Sequence, residues 1–348
     1  MTKASAIAAI TTLLLAVTAM TQDARQSQTS PAASKSRRSP ASAPASGPAA
    51  DADTSRVQAA RPADREIVYK KTPQADLKMF VYLPKDWKAA DRRAAIVFFF
   101  GGGWAGGSPR QFFSKGEYFA SRGLVAVSCE YRVKNVHQTT PAECVEDARS
   151  AMRYVRKHAA ELGVDGDKLI SAGGSAGGHL AACVATTDGP DSPDDDLSVS
   201  CRPAAMVLFN PVLDTSDPRA MERMSGATEA DKKILARKVS PIEYVQKGCP
   251  PGIVFFGTAD ALLPQGRGFV AKSLALGNRI ELWTAEGMPH GFFNGSPWHE
   301  ATTIAADEFL ARLGYLSGPA TMKPADPKAV LVKALPAAPQ PGAKAATR

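Results

Sequence analysis

The stretch Lys168–Cys183, KLISAGGSAGGHLAAC, constrains this chain more than any other. A short apolar run leads into glycines that flank one serine, and an apolar run compatible with a helix follows. In the order strand, turn, helix, the pattern G-x-S-x-G formed by Gly173, Ser175 and Gly177 reads as a nucleophile elbow, a sharp turn that pushes the serine hydroxyl outward. Glycine at 173 and 177 lets such a turn close without Cβ clashes.

At 348 residues and 44% hydrophobic content the chain can bury a large core, but its ends read differently. Residues 1–20 carry Lys3, an uncharged stretch rich in Ala, Ile and Leu from Ala4, and Val17-Thr18-Ala19. That is the pattern of a secretory signal peptide, and its apolar part is short for a membrane span. The expectation is an exported protein, periplasmic or secreted, with no stable membrane insertion after cleavage. Residues 21–63, rich in Ser, Ala and Pro, read as a disordered linker. Residues 317–348 read as a disordered Pro, Ala and Lys tail, in which Val330-Leu331-Val332 is too short to form an element alone. Residues 64–316 are left as the folded domain. Residues 1–63 hold seven Lys or Arg against three Asp, and residues 318–348 five against one, which accounts for the whole formal net charge of +8. The neutral core gives no support to nucleic-acid binding.

Within the core, Glu66–Lys71 and Leu77–Pro84 alternate as two strands joined at Thr72-Pro73. Ala94–Phe100 is a continuous apolar run, the mark of a strand covered on both faces in a parallel sheet. A helix is expected over Gln111–Arg122 and a buried strand over Leu124–Cys129. Thr140-Pro141-Ala142-Glu143 combines an N-cap threonine with proline and glutamate at the first and third helical positions. Cys144, Ala148, Ala151, Met152 and Val155 then form one apolar stripe. Lys168–Ala172 and Ala176–Thr187 are the strand and helix of the elbow. Ala204–Asn210, Gly252–Gly257 and Arg279–Thr284 add strands, and Pro264–Leu276 and His299–Leu313 add helices. Leu213–Ser240 is polar and weakly helical, placed where a small cap insertion could sit. The alternation predicts a doubly wound, mostly parallel sheet with antiparallel N-terminal strands. Asp188–Pro203 reads as a solvated acidic loop in preference to a calcium site. The five cysteines show no metal-ligand spacing. Export permits a disulfide, with Cys183 and Cys201 as the candidate pair.

Serine is a weak nucleophile at neutral pH and needs a base beside it, held in turn by a third group. His290, in GMPHGFF, lies just past the last predicted core strand, on the edge where loops gather over a site. His158 reads as an exposed cation at a helix C-terminus, His179 as pointing away from the hydroxyl, and His299 as exposed at the start of the last helix. His137, in a loop, stays a competitor. Asp260, directly after GIVFFGTA, is the candidate acid, with Asp214 its competitor. The chain order Ser, Asp, His matches that of α/β-hydrolases. Gly101-Gly102-Gly103 ends an earlier strand, and the amides of Gly102, Gly103 and Ala176 are candidate donors to a developing oxyanion. Trp104 and Phe292 are candidates for the wall of a substrate pocket.

FFFGGGW, CEYRV, TPAECVEDARSAMRYVR, GGSAGGH, GTAD and PHGFF, spread from about Glu66 to Tyr315, together resemble the α/β-hydrolase carboxylesterases of the hormone-sensitive-lipase-like type. The resemblance is closer still to bacterial acetyl xylan esterase and feruloyl esterase-like hydrolases. It implies the α/β-hydrolase fold and hydrolysis of short acyl esters, often on carbohydrate, through an acyl-enzyme and without metal or cofactor. It also implies that Arg132 and Asp147 form a structural ion pair beneath the site. Two positions depart from the family pattern. Phe100 stands where H-G-G-G has its histidine, and Gly174 where an acidic residue commonly precedes the nucleophile.

Three other readings stay open. The same three residues can cleave amides or peptides, a hydrolase scaffold can serve as a binding protein, and Gly101-x-Gly103-x-x-Gly106 formally fits a dinucleotide-binding fingerprint. Against the last, Trp104 would crowd a pyrophosphate and Pro109 interrupts the expected helix start. A histidine base predicts activity that falls below about pH 6 to 7.

Overall fold

Alternating and continuous apolar runs sort the strands into two kinds. In the computed structural model, which describes residues 60–224 and 228–334, β1 (Arg65–Lys71) and β2 (Asp76–Tyr82) alternate and form an antiparallel hairpin. Its turn is closed by Thr72 N–H donating to the Ala75 carbonyl at 2.9 Å. The expected signal peptide, nearly all of the expected linker and residues 335–348 lie outside the described residues.

After the hairpin come β3 (Arg93–Phe99), α1 (Phe113–Ser121), β4 (Val125–Cys129), α2 (Lys134–His137), α3 (Pro141–Lys157), α4 (Ala159–Leu162), β5 (Val164–Gly174) and α5 (Ala176–Thr186). Then follow β6 (Ala205–Phe209), α6 (Pro218–Met221), α7 (Glu229–Lys238), β7 (Gly252–Gly257), α8 (Leu263–Ala275), β8 (Ile280–Ala285), α9 (Trp298–Arg312) and β9 (Leu331–Ala334). The strands form one sheet in the order β1-β2-β4-β3-β5-β6-β7-β8-β9. Its centre, from β4 to β8, is parallel, and the two outer pairings on one side and the β8–β9 pairing on the other are antiparallel. This is the α/β-hydrolase architecture. Because β4 and β5 lie on opposite sides of β3, the order reverses there, and the crevice for a ligand opens beyond the C-terminal ends of β3 and β5.

The continuous apolar runs are buried throughout β4, β6 and β7, as parallel strands covered on both faces must be. Helix α3 starts with the expected capping box, Thr140 and Glu143 each bonding the other's backbone, and all five residues of its stripe are fully buried. The helix predicted over Gln111–Arg122 begins later than expected, because Pro109–Phe112 is a 3₁₀ turn capped by Ser108.

Two expectations are corrected. Val332 and its neighbours do form an element: β9 pairs with the edge of β8, from Leu282 opposite Ala334 to Ala285 opposite Leu331. An exposed sheet edge supplies the main-chain partners that the short patch lacks alone. The acidic loop is not simply solvated, since Asp191 pairs with Arg149 and Arg153 of α3 and Asp195 with Arg153, all at 2.6–2.7 Å. All five cysteines are free, Cys183 and Cys201 included. Among the described residues no helix is long and apolar enough to cross a membrane.

Candidate active site

The elbow follows from steric necessity. Ser175 sits at φ 53° and ψ −118° between β5 and α5, a left-handed value that non-glycine residues rarely adopt. A Cβ on Gly173 would overlap the Gly177 carbonyl, and one on Gly177 would overlap the Phe99 carbonyl. The strand, the helix and the end of β3 can therefore meet only through glycine. Ser175 is further fixed by its N–H donating to the Phe209 carbonyl at 2.9 Å.

Three loops converge on its hydroxyl. His290 Nε2 lies 2.8 Å from Ser175 Oγ, and His290 Nδ1 lies 2.8 Å from Asp260 Oδ2. The Asp260 side chain is buried while that of His290 is 42% exposed, so the imidazole stands between a buried carboxylate and the open side of the site. Asp260 Oδ1 accepts the Leu262 N–H at 2.9 Å, which leaves Oδ2 for the imidazole. With Nδ1–H donated to Asp260, Nε2 is free to accept the serine proton.

The glycine turn after β3 lies against the elbow, because a Cβ on Gly101 would come within 3.3 Å of Ser175 Cβ. Gly102, Gly103 and Trp104 all have positive φ, at 124°, 61° and 58°, and the Ala105 and Gly106 amides fold back onto the Gly102 carbonyl. The amide of Ala176 opens α5, where the first N–H groups of a helix have no intrahelical partner. Gly102 and Gly103 thus belong to a turn that abuts the elbow at Gly101, and Ala176 is the first helical residue after Ser175.

The remaining predicted residues divide. Arg132 and Asp147 meet in a bidentate pair, Nε to Oδ2 and Nη2 to Oδ1 both at 2.8 Å, and Lys70 Nζ adds a contact to Oδ1 at 2.8 Å. Trp104 and Phe292 do not offer open ring faces. Trp104 is 3% exposed and turned edge-on to His179, and Phe292 is 6% exposed and packed on Trp298. His299 is buried, not exposed, with Nδ1 facing Lys115 Nζ at 3.0 Å. His137 Nδ1 accepts the Val133 N–H, His158 stacks on Tyr154, and Asp214 caps the amide and hydroxyl of Ser216. None of these three is bonded to Ser175. The dinucleotide reading also fails locally, because the glycine turn is followed by the Pro109 3₁₀ turn rather than a helix N-terminus.

The BD-FAE family model matches residues 79–273, more than half of the chain. This chain belongs to the BD-FAE family. Among solved structures it is similar to Thermogutta terrifontis esterase 2 in its apo form, at 45% identity and TM-score 0.69, covering 74% of this chain and 97% of that one. The same esterase has been solved phosphonylated by cyclosarin and bound to propionate. Among curated proteins, carboxylesterase NlhH of Mycobacterium tuberculosis is 29% identical over 254 residues, 68% of this chain and 78% of that protein. Endo-1,4-beta-xylanase B of Butyrivibrio fibrisolvens is 24% identical over 212 residues, 59% of this chain and 31% of that protein. The chain spans about half the length of several curated relatives that it matches.

Two polar residues in this BD-FAE site escaped the sequence reading. Asn210, buried at the end of β6 with φ 34°, places Nδ2 3.3 Å from His290 Nε2 and accepts the Gly291 N–H at 3.2 Å. Gln111 accepts the Gly101 N–H at 2.6 Å and donates to Asn294 Oδ1 at 2.9 Å, tying the glycine turn to the histidine loop. Asn210 carried one signal, a polar residue closing an apolar strand at the edge where Asp260 and His290 also lie. Gln111 carried none, because its two partners are ten and 183 residues away in sequence. The departures from the family pattern have local causes. Gly174 is glycine because the Phe293 ring fills the space of its Cβ, and Phe100 stacks on Tyr131 with centroids 4.1 Å apart.

Proposed function

We propose that this chain is a serine carboxylesterase that hydrolyses short acyl esters through Ser175, His290 and Asp260, with acetyl or feruloyl esters on carbohydrate as its substrates. The observation that carries this reading is the pair of 2.8 Å contacts from Asp260 through His290 to a serine held on a strained elbow. Family membership supports ester hydrolysis, and the short acids and phosphonyl group bound to the Thermogutta esterase support a small acyl site. The match to a xylanase supports a carbohydrate alcohol.

As Ser175 Oγ attacks the ester carbonyl carbon, its proton passes to His290 Nε2, and Asp260 stabilises the imidazolium through Nδ1–H. The carbonyl oxygen takes up negative charge and is met by the amides of Gly102, Gly103 and Ala176. Collapse breaks the bond to the alcohol, which leaves with the proton from His290. Water then attacks the acyl-enzyme, gives one proton to His290, and releases the acid as Ser175 recovers its proton.

The test is a panel of p-nitrophenyl acetate, propionate and butyrate, methyl ferulate and acetylated xylan, assayed with wild type and Ser175→Ala. Turnover should be highest on the short esters and fall at least about 10⁴-fold in the variant. Equal activity in both proteins would sink the reading. The leader pattern of residues 1–20 supports export, which N-terminal sequencing of the mature protein reads directly.

A further inference from the structure

His179 is buried four residues beyond Ser175 on α5, and both of its ring nitrogens are engaged. Trp104 Nε1–H donates to Nδ1 at 3.2 Å, so that nitrogen is unprotonated and Nε2 carries the hydrogen, which it donates to the Val239 carbonyl at 2.6 Å. Val239 is the C-cap residue of α7. Burial lowers the His179 pKa to about 4, so the ring is neutral and the Nδ1 acceptor is present at neutral pH. Trp104 is the residue after Gly102-Gly103 and has φ 58°. A bulky residue in that conformation persists only where its surroundings hold it. Here the hold is the buried indole, edge-on to His179 with ring centroids 5.1 Å apart, and the Trp104 carbonyl accepting the Lys134 N–H at 2.9 Å.

We propose that His179 is a positioning residue for the oxyanion turn: by accepting the Trp104 indole N–H it fixes the Gly102-Gly103 turn beside Ser175, and through Val239 it links that turn to the end of α7. The inference rests on the esterase reading above and gives the histidine that follows the elbow's glycines a role in rate, although it touches no reacting atom. Its two bonds can be separated. His179→Gln carries an amide able to reach the Val239 carbonyl but has no acceptor at the Nδ1 position, whereas His179→Asn carries an acceptor at Nδ1 and cannot reach Val239. Trp104→Phe removes the indole N–H together with part of the buried ring.

The experiment measures kcat and KM on p-nitrophenyl acetate, and the Ki of a methyl trifluoromethyl ketone, whose adduct on serine places an oxyanion in the same hole. His179→Gln and Trp104→Phe should lower kcat by about tenfold to a hundredfold, since loss of a whole oxyanion donor costs 10²–10³. KM should stay within about twofold, and Ki should rise in parallel with the loss in kcat/KM. His179→Asn should recover most of the kcat lost in His179→Gln, and the double variant His179→Gln/Trp104→Phe should be no slower than either single one. If His179→Gln and Trp104→Phe keep wild-type kcat and Ki and lose only thermal stability, the inference is overturned. An equal loss of kcat in His179→Asn and His179→Gln would overturn it too. Ser175→Ala, assayed alongside, separates this outcome from failure of the esterase reading itself, which would show as unimpaired turnover in that variant.

Discussion

Gly174 shows how one residue's identity is set by a neighbour more than a hundred positions away. Phe293 is fully buried in a stack with Phe112 and Phe209, and its ring occupies the volume that any Cβ at 174 would need. Gly174→Ala should therefore destabilise the fold by about 1–3 kcal/mol, the usual range for overpacking. Phe293→Leu in the same background should recover part of that loss in urea denaturation, and an additive loss would show that the clash is not the cause. Gln111 belongs to the same scale. Gln111→Leu strands the Gly101 amide and lets the glycine turn and the histidine loop move apart. It should reduce kcat on p-nitrophenyl acetate by about tenfold, in the lower range for a lost hydrogen bond in a preorganised site; an unchanged kcat would remove Gln111 from the positioning network.

At the scale of elements, α3 joins the N-terminal hairpin to the segment that follows β4. Asp147 on α3 takes both Arg132, three residues past β4, and Lys70 of β1, and all three side chains are largely buried. Taking away one member of such a cluster leaves buried charge uncompensated, so Asp147→Ala should cost about 3–5 kcal/mol in a denaturant titration. A loss below about 1 kcal/mol, the value of an exposed pair, would contradict the burial of the cluster. On the other face of the helix Arg149 and Arg153 hold the acidic loop through Asp191 and Asp195. That loop was legible in sequence as acidic and as a connection, but its partners were not, because arginines spaced along a helix read equally well as a solvated face.

Across the whole molecule, two buried bases make stability depend on pH with a fixed sign. Burial pushes Lys115 down from 10.5 to about 7 and His179 down from 6.5 to about 4. Between each pair of values the unfolded chain holds the proton and the folded chain does not, so stability falls as pH drops from 10.5 to 7 and again from 6.5 to 4. Lys115 packs over the rings of Phe209 and Phe293 and donates to His299 and Thr303. In Lys115→Met the slope of Tm between pH 7 and 10 should be smaller than in wild type, and an unchanged slope would mean that Lys115 does not titrate in the folded protein. The burial of Lys115 and of its partner His299 was not legible in the sequence, since Lys115 lies on a helix with few charges and His299 in a run that looks like an exposed helix start.

The elbow at Ser175, the glycine turn after β3 and the positions of Asp260 and His290 just past their strands were legible in the sequence. Each is a local event, a glycine demanded by backbone crowding or a polar residue ending an apolar run, and strand ends in a parallel sheet share one edge. The order of strands, the reversal at β3 and the antiparallel addition of β9 are not local, because pairing partners are chosen by edges that exist only once the sheet has formed. The same holds around the serine itself. Sequence placed Ser175 on a turn and offered five histidines. Tertiary packing put one of them 2.8 Å from its hydroxyl and buried a second behind the turn, because burial and the hydrogen-bond partners that burial requires are properties of the packed molecule.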